Sequence, residues 1–514
     1  MIRQKEKTNT PLKIIKYSDN DNFLKSNPHV FYGYLIKTIL SITVLFTVLS
    51  DAKAYKYPIF ADQKLSRPTG LRHILPNEIQ VNIEHVSRHQ PDRLFSNPEA
   101  LKKLAEFYRD TPEGLVEWRR MTGRTAEILN NWDFRRKGLA GARYTYRVRT
   151  IADLAICYLL SGHMELGQFI RGHTLLAASL PIEFWLHSEL RGYDSGKPLG
   201  KLETAMLSSA IAMTLSLAGD LFAPEEKIQV KNALKQKGLI PCMNWINETT
   251  KKNNFVAVIC SGAYITARYF GEYEGMKKAR QTMSKYLNSS IEPDGSYGEG
   301  LGYFVYPISE IARAVVFMSP EEQQKTFASS GLRFSAQWQA YPYFYLSDRE
   351  KRPRPYLIHF SDNSCYQTPT VIITQAVLFR DGIAMWLHKK FQSPINWLNR
   401  LFMYSQTEKL PEPQSPAKLG LPLIKTFDNG DNFIRSSWDD NSIVLGLRSG
   451  NGSRIEFSHQ RPELNSICMG AYGEYLIVSP GSASYRSPLR YLWDMATRSA
   501  NTISIDSNLN SAVM

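Results

Sequence analysis

Apolar residues recur at helical spacing in one segment after another between residues 98 and 318, and the loops between segments are short and rich in Gly, Asn and Ser. The periodicity predicts helices over 98–109, 150–161, 164–179, 202–218, 224–237, 255–270, 273–288 and 307–318. Two starts are marked by Ala223-Pro224-Glu225-Glu226 and Ser319-Pro320-Glu321-Glu322, where proline at the first helical position gives up an N–H that had no partner there. Helices joined this briefly lie antiparallel to their neighbours, so the run reads as stacked αα-hairpins.

The pattern then changes. Residues 408–422 are rich in proline and polar side chains and read as a linker. Beyond them come strand-like runs at 432–438, 442–448, 455–458, 465–469, 474–478 and 502–505, short and closely spaced, as in an antiparallel meander or sandwich. The chain therefore divides into a leader (1–54), a helical domain (55–407), the linker and a β domain (423–514) that is either reduced or truncated. With 514 residues, 43% hydrophobic and 12% aromatic, there is enough chain for two cores. Residues 34–50 carry an apolar stretch after a basic flank, followed by Ala52-Lys53-Ala54, an A-x-A site. The expectation is export to a periplasm or beyond, with cleavage after Ala54; an uncleaved anchor, the membrane's one point of attachment, is the alternative.

A formal charge of +14 suits a polyanionic partner. No helix-turn-helix, finger or RNP-like signature points to nucleic acid, and an acidic polysaccharide fits the chain's motifs better. Five scattered cysteines without a C-x-x-C read as small buried hydrophobes, although an exported chain could oxidise one pair. Nothing in the composition fixes an oligomeric state.

Three polar clusters interrupt this scaffold. Ser458-His459-Gln460-Arg461-Pro462-Glu463-Leu464-Asn465-Ser466 lies between strand-like runs, and so dense a set of polar groups must pair, face water or meet a ligand. Asn253-Asn254-Phe255 opens a helix, where Asn is a good cap. Between them, Glu292-Pro293-Asp294-Gly295-Ser296-Tyr297-Gly298-Glu299-Gly300-Leu301-Gly302-Tyr303-Phe304-Val305-Tyr306 combines turn chemistry with aromatic rings and a carboxylate, a loop suited to holding a sugar.

Together these clusters resemble the signatures of the heparinase II/III-like polysaccharide lyases. His459, Asn465-Ser466 and Gly473-Glu474-Tyr475-Leu476 follow the order of the family's H-x-H-x-D-x-N-S-F block and its G-E-x-L. Arg498-Ser499-Ala500-Asn501-Thr502-Ile503-Ser504-Ile505-Asp506 is similar to its R-x-H-N-T strand, Asn253-Asn254-Phe255 to its N-N loop, and residues 294–306 to its D-G-S-x-x-E-G-x-x-Y-x-x-Y block. Ile358-His359-Phe360-Ser361-Asp362-Asn363-Ser364 resembles its N-F-G-D-S loop; His359 there reads best as a structural group. The chain departs at the family's metal ligands, with Arg461, Ser479 and Ala500 in their places. Their joint loss implies a protein without metal or other cofactor, Arg461 setting its guanidinium where the cation would lie, paired with Glu463.

The resemblance implies an α+β multidomain fold, in which the hairpins curve into an incomplete (α/α) toroid followed by a C-terminal antiparallel, sandwich-like β domain. It also implies β-elimination on a uronate polymer. Asn254 would neutralise the carboxylate, Tyr306 (with Tyr303 as the alternative tyrosine) and His459 would exchange protons with C5 and O4, and Asn253, Tyr303 and Arg461 would bind the chain. Two other readings remain open. One is a non-catalytic polysaccharide-binding relative. The other is a glycoside hydrolase with Asp294, Glu299 or Asp362 as paired acids.

Overall fold

In a computed structural model, the described residues are 73–503 apart from 91, 131–149, 187–196, 346–354, 364–371, 394, 407–408, 451–458, 460, 462, 482, 484–486 and 495. The expected leader, the 455–458 strand and Cys365 lie outside them, as does the last part of the 502–505 strand. All described residues belong to one unit, Leu65–Met514.

The helices are α1 Ile83–Ser87, α2 Pro98–Asp110, α3 Pro112–Asn130, α4 Ile151–Ser161, α5 Met164–Ser179, α6 Leu202–Leu217, α7 Pro224–Ala233, α8 Ile240–Glu248, α9 Asn254–Phe270, α10 Tyr273–Ser290, α11 Gly300–Val315, α12 Pro320–Phe327, α13 Ser335–Ala340, α14 Ile372–Phe379, α15 Gly382–Phe391 and α16 Trp397–Ser405. Successive pairs form hairpins, and an inner layer runs from α4 to α6, α9, α11 and α16, which returns to α2. This is the incomplete (α/α) toroid. The layering is written in the sequence: every residue of α6 from Glu203 to Leu217 is buried, the mark of a helix enclosed on all sides. By contrast, α10 buries one stripe, Ala279, Met283, Tyr286, Leu287 and Ser290. Capping fixes the starts. Asn97 Oδ1 accepts from Ala100 N (3.0 Å), and Ser319 and Glu322 form a reciprocal capping box (2.9 and 3.2 Å).

Two helices differ from the periodicity. The segment predicted over 224–237 continues through a π-type turn, Leu234–Leu239, into α8. The helix predicted to begin at Pro307 begins instead at Gly300, so proline lies inside α11. A buried stripe of Leu301, Phe304, Val305 and Ile308 carries the helix through it. Proline there costs one i→i−4 bond.

The C-terminal sheet is an antiparallel meander in the order β3 Ile424–Thr426, β4 Asp431–Arg435, β5 Val444–Arg448, β6 Ile467–Ala471, β7 Glu474–Ile477; a small hairpin, β1 Tyr343–Tyr345 with β2 Pro355–Leu357, precedes it. A bulge at Met469/Gly470 bends β6. The sheet packs closely on the hairpin: a Cβ on Gly470 would come within 2.6 Å of the Phe344 ring, so only glycine fits. Residues 497–499 form a 3-10 turn, and the following Thr502 donates to Leu464 O (2.5 Å), tying the tail to the 459–466 loop.

Candidate active site

The site is assembled where the sheet meets the start of α11. Ile291 and Tyr297 bridge across the Pro-Asp-Gly turn, and Asp294 Oδ1 accepts from Ser296 N and Oγ (3.0 and 2.7 Å). The sheet then grips this loop. Asp428 N donates to Asp294 Oδ2 (2.7 Å), Asn429 Nδ2 to Tyr297 O (3.1 Å), and Arg448 Nη2 to Gly298 O (3.0 Å). Arg448 is ion-paired with buried Asp431, which also accepts from Trp338 Nε1 (3.2 Å) and Asn429 Nδ2 (2.8 Å). A loop rich in glycine is thus held at both ends of a polar lattice.

Glu299 is delivered by this loop to the N-cap of α11 and is fully buried. Its Oε1 lies 2.7 Å from His459 Nδ1, and its Oε2 accepts from Tyr297 OH (3.2 Å), whose oxygen is 3.1 Å from Tyr286 OH. Burial pushes both tyrosines well above their ordinary range, so both stay protonated and serve as donors and acceptors only. A carboxylate at a helix N-terminus is favoured by the unpaired N–H groups there. In the neutral ring, a proton on Nδ1 shared with Glu299 would leave the lone pair on Nε2.

The His459 ring also stacks on Tyr303, with centroids 3.6 Å apart and 16° between planes. Its backbone carbonyl accepts from Asp362 N (2.9 Å), and Asp362 is itself held by Arg490 in a two-pronged pair (3.0 and 2.6 Å). Tyr306 is half-buried one helical turn beyond Tyr303, so both phenols lie on neighbouring positions of one face of α11. Ser290 Oγ donates to Lys252 O (2.8 Å), which ties the start of α9 to the chain entering this loop. There Asn253 caps α9, its Oδ1 accepting from Phe255 N (3.2 Å). Asn254, at the first helical position, is buried with an Oδ1 that has no partner.

Arg461 is buried nearby, and neither Nη1 nor Nη2 has a partner. The expected Arg461–Glu463 hydrogen-bonded pair does not form through these nitrogens. Glu463 instead accepts from the Ser361 N–H, and burial pushes its carboxyl up to about 7, an effect Arg461 opposes. Burial drives His359 down to about 4, so its imidazole is neutral, with Nδ1 3.4 Å from Leu357 O. Among the described residues no three His, Cys, Asp or Glu side chains gather as a metal site. A buried guanidinium beside a neutral imidazole and a carboxyl held near half-protonation does not suit a divalent cation.

Sequence reasoning brought Tyr303, Tyr306, His459 and Arg461 into view but weighed Glu299 only as a hydrolytic acid. It missed Tyr297 and Tyr286 altogether. The signal was present: Glu299 follows a turn and opens a helix, where a carboxylate is at home. The three acids of the hydrolase reading are each committed elsewhere, Asp294 to its turn, Asp362 to Arg490 and Glu299 to His459.

Fold and site define a toroid-and-sheet protein in which a buried carboxylate holds a histidine against a tyrosine. No protein-family model and no curated protein sequence matches the chain. Among solved structures, a heparinase III gene product matches with a TM-score of 0.50 and 14% identity, over 88% of this chain and 65% of that one. A heparan sulfate lyase mutant from Pedobacter heparinus matches with a TM-score of 0.45 and 12% identity, over 83% and 65% of the two chains. The lyase without the mutation gives 0.40 and 15%, over 70% and 53%. The chain thus spans about two thirds or less of these proteins, and the likeness to the first is one of fold.

Proposed function

We propose that this protein is a polysaccharide lyase that cleaves a uronic-acid-containing polymer by β-elimination. The observation that carries the reading is the Glu299–His459–Tyr303 arrangement, with Tyr306 on the next turn of α11. The C5 proton of a uronate is too weakly acidic to leave unless the adjacent carboxylate is met by a donor. The Asn254 amide N–H is the donor assigned to that carboxylate, where it would stabilise the charge that develops. Tyr306 and His459 act as the proton-transfer pair, one taking the C5 proton and the other giving a proton to O4 as the C4–O4 bond breaks. Glu299 keeps the imidazole in one tautomer and one orientation. Tyr303, Asn253 and Arg461 are the contacts assigned to the rest of the polymer, and the chain's excess of positive charge draws the acidic substrate in. The A-x-A segment at 52–54 fits a protein that meets its polymer outside the cytoplasm.

The test is a panel of alginate, glycosaminoglycans and other uronate polymers, followed in the ultraviolet. Elimination leaves an unsaturated uronate that absorbs, and at least one polymer should give it; His459→Ala and Tyr306→Phe should abolish it. New reducing ends without absorbance would sink the proposal in favour of hydrolysis.

A further inference from the structure

The helix that begins with Asn254 ends beside a concave site. From Asn254 to Tyr269, at about 1.5 Å per residue, α9 carries the chain some 22 Å away from the start of the helix. There a cavity of about 720 Å³ opens, lined by Arg88, Arg93, Lys227, Lys231, Tyr269 and Ser216. Its size falls within the range of about 300–1,000 Å³ usual for small-ligand sites.

Its chemistry has three parts. Four cationic side chains outnumber two carboxylates, Asp92, whose Oδ1 accepts from Leu94 N and Phe95 N (2.9 Å each), and Asp220, whose Oδ2 accepts from Tyr158 OH (2.9 Å); of the cations, Arg93 also donates from Nη1 to Phe270 O (3.0 Å). Next, the Tyr269 ring is bracketed by the Lys231 ammonium, 5.7 Å from its centroid. Finally, two polar groups of the lining have no partner, the Ser216 hydroxyl, on a residue only 6% exposed, and Nε2 of His89. Buried polar groups left unmade are costly, so their presence in a cavity wall calls for a hydrogen-bonding occupant.

We propose that this cavity is a second binding site, for an acidic oligosaccharide, apart from the place of chemistry. A sugar ring offers an apolar face to Tyr269, hydroxyls to Ser216 and His89, and carboxylate or sulfate groups to the lysines and arginines. The choice of ligand class rests on the proposed lyase reading; the existence of the site does not.

The test uses the full chain carrying His459→Ala, so that no turnover occurs. Tetragalacturonate and a heparan sulfate tetrasaccharide are titrated calorimetrically, with neutral cellotetraose as control. At least one acidic probe should show a binding event that Lys227→Glu/Lys231→Glu weakens tenfold or more and that added salt also weakens. Neither lysine is buried, and Lys231→Ala, with a smaller loss, guards against misfolding of the double variant. Equal binding by the charge-reversed protein, equal binding of the neutral sugar, or no acidic binding at all overturns the proposal. Absence of ultraviolet-absorbing product from the unmutated enzyme would sink the elimination reading alone.

Discussion

Nδ1 of His459 lies 2.7 Å from Oε1 of Glu299, although the two are 160 residues apart in the chain. One comes from the sheet side and the other from the mouth of the toroid. Their contact is therefore a direct report on whether the two layers are correctly docked. The carboxylate is fully enclosed while the imidazole keeps an edge exposed, side-chain exposures being 0% and 16%. Such a pair holds its inner member rigid and leaves the outer one to work.

Glu299→Gln preserves shape but offers Nδ1 a weaker, uncharged partner that can turn its amide the wrong way. The expected result is a fall in kcat of about 10²-fold with KM changed little, because the loss falls on proton transfer and not on binding. Glu299→Asp, which keeps the charge at a shorter reach, should recover part of it. Steady-state kinetics on the polymer that gives product will show whether kcat and KM split in this way; a parallel rise in KM would assign Glu299 to substrate binding instead.

The adjacent asparagines at the start of α9 should separate stability from catalysis. Asn253 caps the helix, so Asn253→Ala should cost about 1 kcal/mol in thermal or denaturant unfolding. Asn254 has no partner on its buried oxygen, so Asn254→Ala should leave stability within about 0.5 kcal/mol while lowering kcat/KM by about 10²–10³. If both variants lose stability equally and activity follows stability, the carboxylate role of Asn254 fails.

Much of this was legible from residues alone, for identifiable reasons. Helical spacing reported the toroid's hairpins because each helix must bury one face, and α2, α4, α5 and α10 begin within a residue of their predicted starts. The start of α11 was misplaced because a proline was read as a beginning, when burial of Leu301 and Phe304 outweighs the lost hydrogen bond. His459 and Tyr303 could be named from their motifs, yet their stacking is a long-range contact that no local pattern encodes. The same holds for Arg448 and Asp431, two ordinary strand residues in sequence, whose pairing beneath the Glu299 loop exists only once the meander has closed.

That buried pair sets the next expectation. Arg448 meets Asp431 and also donates to Gly298 O, the residue just before Glu299. Removing one partner of a buried ion pair strands the other, so Arg448→Met should destabilise the fold by about 3–5 kcal/mol. It should also lower kcat at temperatures where the protein remains folded, because the loop that presents Glu299 loses its anchor. Denaturant melts and single-temperature kinetics on the same sample test the two halves; unchanged kcat in a destabilised but folded variant would leave the pair purely structural.

Glu463 gives the protein a calculable response to pH. Its carboxyl is pushed up from an ordinary 4.5 to about 7, chiefly by burial and against the pull of Arg461. The folded state therefore holds this proton where the unfolded chain has already released it. Stability from this group is fully present below about pH 4.5 and is lost as pH rises through about 7, a total of about 3 kcal/mol. Glu463→Gln cannot lose the proton, and it keeps an oxygen to accept from the Ser361 N–H. The variant should match the unmutated protein near pH 4.5 and exceed it in melting temperature at pH 8, with the difference growing across that window. Melting curves collected between those limits decide the matter: a constant difference at every pH would mean that Glu463 is ionised throughout, and that Arg461 outweighs burial.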